Sequence, residues 1–135
     1  MNKPIYYSSV GDTLFYGELK NNKVSFGETK VIRIETVQCN NQCAFVYLDF
    51  TNFPVVAFKK PKSNHFKDCA YPNCILGRGH AIIVSNSIDK VKEYLRGVLY
   101  GEIEFTTKMA NKTEKAARTL HLKESKLRIE YNKLK

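Results

Sequence analysis

No tryptophan occurs among the 135 residues, acids are scarce, prolines number four, and no apolar run approaches the roughly eighteen residues that span a bilayer. Each shortage removes an option. Without tryptophan, the bulk of a core falls to eight Tyr and eight Phe beside the aliphatic residues, and the hydrophobic share of 43% rules out global disorder. Thirteen Asp and Glu against twenty-two Lys and Arg leave a formal charge of +9. That balance points to nucleic acid, a nucleotide, an acidic protein or an anionic surface, held by an attraction that salt weakens. The lack of a spanning segment predicts no membrane partner. Met1 to Gly11 has no continuous apolar stretch of the secretory kind, so the expected location is cytoplasmic, the host cytoplasm if the chain is viral. In that reducing compartment the four cysteines are expected as thiols or metal ligands rather than disulfides. Seventeen Lys to five Arg, with eleven Asn, suit an AT-rich genome such as those of many bacteria and their phages.

At this length one core is expected. The chain reads as a single domain over 1–135, with a mixed β/α core at 1–105 and a basic helical segment at 106–135. The predicted class is α+β: a small antiparallel sheet or partly closed barrel, one packing helix, and a long basic C-terminal helix. Thr13 to Tyr16, Lys23 to Phe26 and the β-branched run Lys30 to Val37 read as an antiparallel meander. Asn40-Asn41-Gln42 forms a hairpin loop before Ala44 to Phe50, and Val55 to Phe58 is a shorter strand. Lys59 to His80 reads as a loop of about twenty residues, a length that is often functional. After an apolar strand at Ala81 to Val84, Asn86 or Ser87 caps a helix to about Arg96. Gly97 ends it, and Leu99 to Phe105 reads as a last strand.

Residues 106–135 hold nine Lys and Arg but three acids. Placed on a helix at 100° per residue, Ala116, Ala117, Leu120, Leu127, Tyr131 and Leu134 form a core-facing stripe. Lys112, Lys115, Lys123, Lys126 and Lys133 form a second stripe beside it, interrupted by Glu130. A face of this kind follows a phosphate backbone, each neutralised phosphate releasing counterions. The ordinary alternative is a solubilising Lys-rich surface. Leu122 and Ile129 lie beyond the lysines and are the expected oligomer contact, with Arg118 able to join the lysines around an anion.

The stretch from Lys115 to Leu127, with Ala117, Leu120, Leu122 and Leu127 at positions that pack two helices, is similar to the helix-turn-helix of bacterial DNA-binding proteins of the Fis type. That resemblance implies Glu124, Ser125, Lys126 and Arg128 in the major groove. An unbroken helix aligns the lysines and needs no turn glycine, where this chain has His121, and is the preferred reading.

Cys39 and Cys43, then Cys69 and Cys74, each flank a turn, and the four sulfurs make a candidate structural zinc site if the turns meet. Ordinary thiols are the plainer reading, and no other cofactor is indicated. A nucleophilic site would join Cys69 or Cys74 to His65 or His80 and to Asp49 or Asp68. Gly77-Arg78-Gly79-His80 precedes a strand, lacks the helix N-terminus of a phosphate loop, and reads as a tight turn. Tyr6, Tyr7, Phe15, Tyr16, Tyr47, Phe53, Phe58 and Phe66 could stack bases, though alternating aromatics are more often core. Lys59, Lys60 and Lys62 form a second basic cluster. The expected function is non-enzymatic nucleic-acid binding through the C-terminal lysines. The alternative is a homo-oligomeric, phage-type counter-defence or regulatory protein that captures a small anionic nucleotide or blocks a host protein.

Overall fold

In the computed structural model, which describes residues 4–37, 43–59, 68–77, 79–110 and 114–134, the alternating and β-branched segments become six strands. These are β1 (Thr13–Lys20), β2 (Lys23–Val37), β3 (Cys43–Leu48), β4 (Val55–Phe58), β5 (Cys69–Pro72) and β6 (Ala81–Ser85). Each pairs antiparallel with the next, and β6 pairs back onto β1, so the sheet is a closed barrel. The expected α+β class holds. β5 falls inside the stretch expected as a long loop; with only four residues it has too short an alternation to signal itself. Its ladders are the two shortest, joining Val55 to Pro72 and Val56 to Tyr71 on one side and Cys69 to Ser85 and Ala70 to Val84 on the other.

The two segments expected as separate strands at 23–26 and 30–37 are one strand of fifteen residues. Its register to β3 shifts between Val31 and Arg33. A bulge there resets the alternation. Val31 is buried in the barrel, Ile32 is exposed, Arg33 also points out, and Ile34 packs inward again. The β1–β2 turn consists of Asn21 and Asn22, both at positive φ (52° and 62°), a conformation asparagine accepts more readily than most residues.

Strand alternation separates two cores. Leu14, Val31, Val46, Leu48, Val55, Ala57, Ala70 and Val84 fill the lumen, and Ile5, from the 3-10 turn Ile5–Tyr7, joins them. The lumen is packed with side chains rather than open to a ligand. At the far end of β1 the carboxylate of Glu18 meets His80 Nε2 at 2.9 Å. Leu19, Cys69 and Ile83 face outward instead and pack under the helices with Val91, Leu95, Leu99, Ile103, Leu127 and Leu134.

A single helix, α1 (Ile88–Ala110), replaces the expected short helix, its stop at Gly97, and the strand over Leu99 to Phe105. Val91, Leu95, Leu99 and Ile103 recur every fourth residue and are all at most 5% exposed. Burying such side chains stabilises by about 1.5–3 kcal/mol each. Gly97 and Gly101 cost about 1 kcal/mol each in a helix interior, so the stripe prevails. Gly17 on β1 lets α1 sit close: a Cβ there would lie 2.5 Å from Val91 Cγ1 and 2.8 Å from Leu95 Cδ1.

Helix α2 (Glu114–Asn132) folds back antiparallel along α1. Thr107 near the end of α1 hydrogen-bonds Glu124, and Arg96, a few turns earlier, donates to the Leu134 carbonyl at 3.0 Å. The 106–135 segment is thereby divided, since residues 106–110 belong to α1. α2 runs through His121 without a break, so the helix-turn-helix geometry is not formed there.

Candidate nucleic-acid interface

Three buried positions anchor α2. Leu127 and Leu134 enter the outer core at full burial, and Glu130, expected to interrupt the lysine stripe, is instead buried to 5% exposure. Its carboxylate accepts the Val24 N–H at 3.0 Å and the Lys133 ammonium at 2.5 Å. Burial pushes the Glu130 carboxyl up, but the hydrogen bonds from Lys133 and Val24, with the charges of Lys133 and Lys23, outweigh it and hold the group below its ordinary value. One acid thus ties α2 to the start of β2.

That tie gathers cations from two elements. Lys20 and Lys23 are cross-strand partners at the end of the β1–β2 ladder, both exposed, a like-charge pairing that costs some stability. Glu130 brings Lys133 into their neighbourhood, and Lys126 stands exposed two turns earlier on the same flank of α2. Leu122 and Ile129 share that flank at 68% and 59% exposure. The sequence Leu122, Lys126, Ile129, Lys133 is spaced at i, i+4, i+7, i+11, a single ridge of alternating apolar and cationic side chains. Arg128 is exposed but bound by Glu124 at 3.0 Å, which also takes the Thr107 hydroxyl; the hydrogen bond from Arg128 holds the Glu124 carboxyl below its usual range.

Of the expected phosphate ligands, Lys123 is half-buried and Lys59 is exposed at the end of β4. Lys60, Lys62 and Lys112, with the side chains of Lys115 and Arg118, lie outside the described residues. In the sequence Lys20 and Lys23 read only as lysines interleaved with the aromatics of the sheet, not as neighbours of the C-terminal stripe. Their place beside the ridge depends on the buried Glu130, and an acid inside a basic stripe carries no signal of that in sequence.

The three described cysteines do not come together. Cys39 lies outside the described residues, Cys43 is on β3, Cys69 on β5 with β4 between them, and Cys74 is exposed beyond β5. Among the described residues no three His, Cys, Asp or Glu side chains group to hold a metal. The Cys69 thiol is pushed up by burial and sits 3.7 Å from Ser85 Oγ. Asp68 holds Lys90, Asp49 accepts from Thr29 Oγ1 at 2.5 Å, and His80 is held by Glu18. His65 lies outside the described residues. Where a tight turn was expected, Gly79 has φ 75° and the His80 N–H donates to the Gly77 carbonyl, while Arg78 lies outside the described residues.

The aromatics do not make one platform. Tyr6 and Tyr16 pack into the lumen, Tyr16 stacked on Phe50 at 4.3 Å, while Phe15 joins the outer core. Tyr7 and Phe53 are exposed, and Phe66 lies outside the described residues. A cleft of about 500 Å³ lies against α1, lined by Cys69, Lys90, Glu93, Tyr94, Gly97 and Val98. No helix of the described residues is long and apolar enough to cross a membrane.

The fold and this ridge define the chain as a closed antiparallel barrel carrying a helical hairpin with one cationic edge. No family model, curated protein or solved structure matches it.

Proposed function

We propose that the protein is a non-enzymatic nucleic-acid binder that grips the phosphate backbone along the edge formed by Lys20, Lys23, Lys126 and Lys133. The observation that carries this reading is the convergence of cations from the β1–β2 hairpin and α2 around one buried acid, Glu130, which fixes their spacing. Leu122 and Ile129, exposed between the lysines, offer apolar contact to sugars or to unstacked bases. The non-enzymatic part is supported by the Cys69 thiol, whose burial disfavours the reactive thiolate.

Capture of a small anion in the cleft beside α1 is less well supported. Asp68 neutralises Lys90 there, and Glu93 adds a further negative charge. The test is titration of labelled single-stranded and duplex DNA and RNA at low and high salt. Binding is expected to weaken with salt, the log–log slope falling by about 0.7–0.9 for each lysine of the four changed to Gln. No binding at low salt, or binding that the four substitutions leave intact, refutes the reading.

A further inference from the structure

The helical hairpin has two flanks, and they are unlike. On α2 the flank turned away from α1 carries the Leu122, Lys126, Ile129, Lys133 ridge. On α1 the flank turned away from α2 carries Tyr94, Val98, Gly101 and Phe105, again at i, i+4, i+7 and i+11. Their opposition follows from the contacts: Arg96 and Thr107, which reach α2, stand about 160° around the helix from Tyr94 and Phe105. The same interval separates Leu127 and Glu124, which face α1's side, from Ile129 and Leu122.

The flank of α1 is hollow where that of α2 is raised. Gly97 lines the 500 Å³ cleft beside it, with Tyr94 and Val98 as apolar walls and Phe105, 40% exposed, one helical turn past Gly101. The rim is acidic. Glu93 and Glu104 are both exposed, and neither forms an ion pair among the described residues. In a chain of net charge +9, an apolar hollow flanked by two acids without ion pairs among the described residues is matched by an apolar ridge interleaved with two lysines on the same molecule. Along the axis the two acids are about 16 Å apart and the two lysines about 10 Å, a difference that long side chains span.

We propose that a second copy of this chain docks its α2 ridge into the α1 cleft, Leu122 and Ile129 entering between Tyr94 and Phe105 while Lys126 and Lys133 meet Glu104 and Glu93. Ridge and cleft lie on opposite flanks, so the contact is head-to-tail and repeats from copy to copy as a ring or an open chain. Direct packing of two α2 ridges is disfavoured, because it would bring Lys126 and Lys133 against their own kind. The association goes beyond nucleic-acid binding and is measured without any nucleic acid present. The cleft residues play no part in the proposed phosphate edge, which keeps the two ideas separately refutable.

The test is a charge swap on the full chain, read as molar mass by light scattering across a concentration series at low salt. Wild type is expected to exceed the monomer mass as concentration rises. E93K/E104K alone sets lysines against lysines, and K126E/K133E alone sets acids against acids; each is expected to weaken association at least about tenfold. Mixed in equal amounts the two variants restore complementary pairs at every contact, and the mass returns. Circular dichroism confirms that each variant is folded, and for a variant that is not, E93Q/E104Q or K126Q/K133Q gives the milder weakening. A wild type that stays monomeric, a cleft variant that associates like wild type, or a mixture that does not recover overturns the proposal.

Discussion

Replacing Glu130 with Ala removes the acceptor for the Val24 N–H and the partner of Lys133 together, whereas Glu130→Gln keeps an acceptor and removes only the charge. An amide left without its acceptor costs about 1–3 kcal/mol, the lower half applying to a half-exposed strand residue such as Val24. Lys133 is 59% exposed, so its ion pair contributes about 0–1 kcal/mol after screening. Glu130→Ala is therefore expected to lose about 1–3 kcal/mol and Glu130→Gln less than about 1 kcal/mol. Urea denaturation of both variants measures the difference at neutral pH. The pH dependence follows from the lowered carboxyl. Its contribution is fully present above the ordinary value of 4.5 and is lost as pH falls through the depressed folded value, so wild type and Glu130→Gln converge on the acid side. The binding readout has the opposite sign, because Glu130→Gln frees Lys133 and makes the edge more positive. Polynucleotide affinity should rise while stability falls. Equal losses for Ala and Gln, or no loss for Ala, would refute the account of Glu130 as the tie between α2 and β2.

Gly17→Ala should destabilise by about 1–3 kcal/mol through overpacking against Val91 and Leu95. Adding Val91→Ala should recover part of that loss, and strictly additive effects in thermal melts would contradict the close seat of α1. Iodoacetamide mapping at neutral pH should label exposed Cys74 long before Cys69, whose thiol is raised by burial; comparable rates in the folded protein would refute this. Because ridge lysines serve both proposed contacts, adding a saturating single strand should lower the mass of a wild-type assembly, and an unchanged mass on binding would show that the two do not share the ridge.

Local rules reached most of the barrel and little of the hairpin. The β-branched run before Val37 and the alternation of β3 announced strands, because a half-buried strand writes its period into the sequence. Closure was legible only as the alternative of a partly closed barrel. The β6–β1 ladder joins Ala81–Ser85 to a strand more than sixty residues earlier, and nothing local records such a pairing. α1 was misread where Gly97 and an alternating Leu99–Phe105 stretch imitated a stop and a strand; burial of Leu99 and Ile103 overrode both. On α2 the wheel placed Leu127 and Leu134 inside and Leu122 and Ile129 outside, as found. It misjudged Glu130, since an acid is buried only where a specific donor awaits it, here an amide more than a hundred residues away.

The β4–β5 ladder is a thin seam of the barrel: it is as short as β5–β6, and one of its two pairs uses Pro72, which has no N–H to give. A closed barrel has no free edge, and that protects it from pairing with other chains. Parting this one seam would undo the protection on both sides at once, leaving β4 and β5 each with an unpaired row of donors and acceptors. Amide exchange at Val56 and Tyr71 should therefore outpace that along β1 and β2. The same opening is where two copies could trade strands at high concentration or on warming.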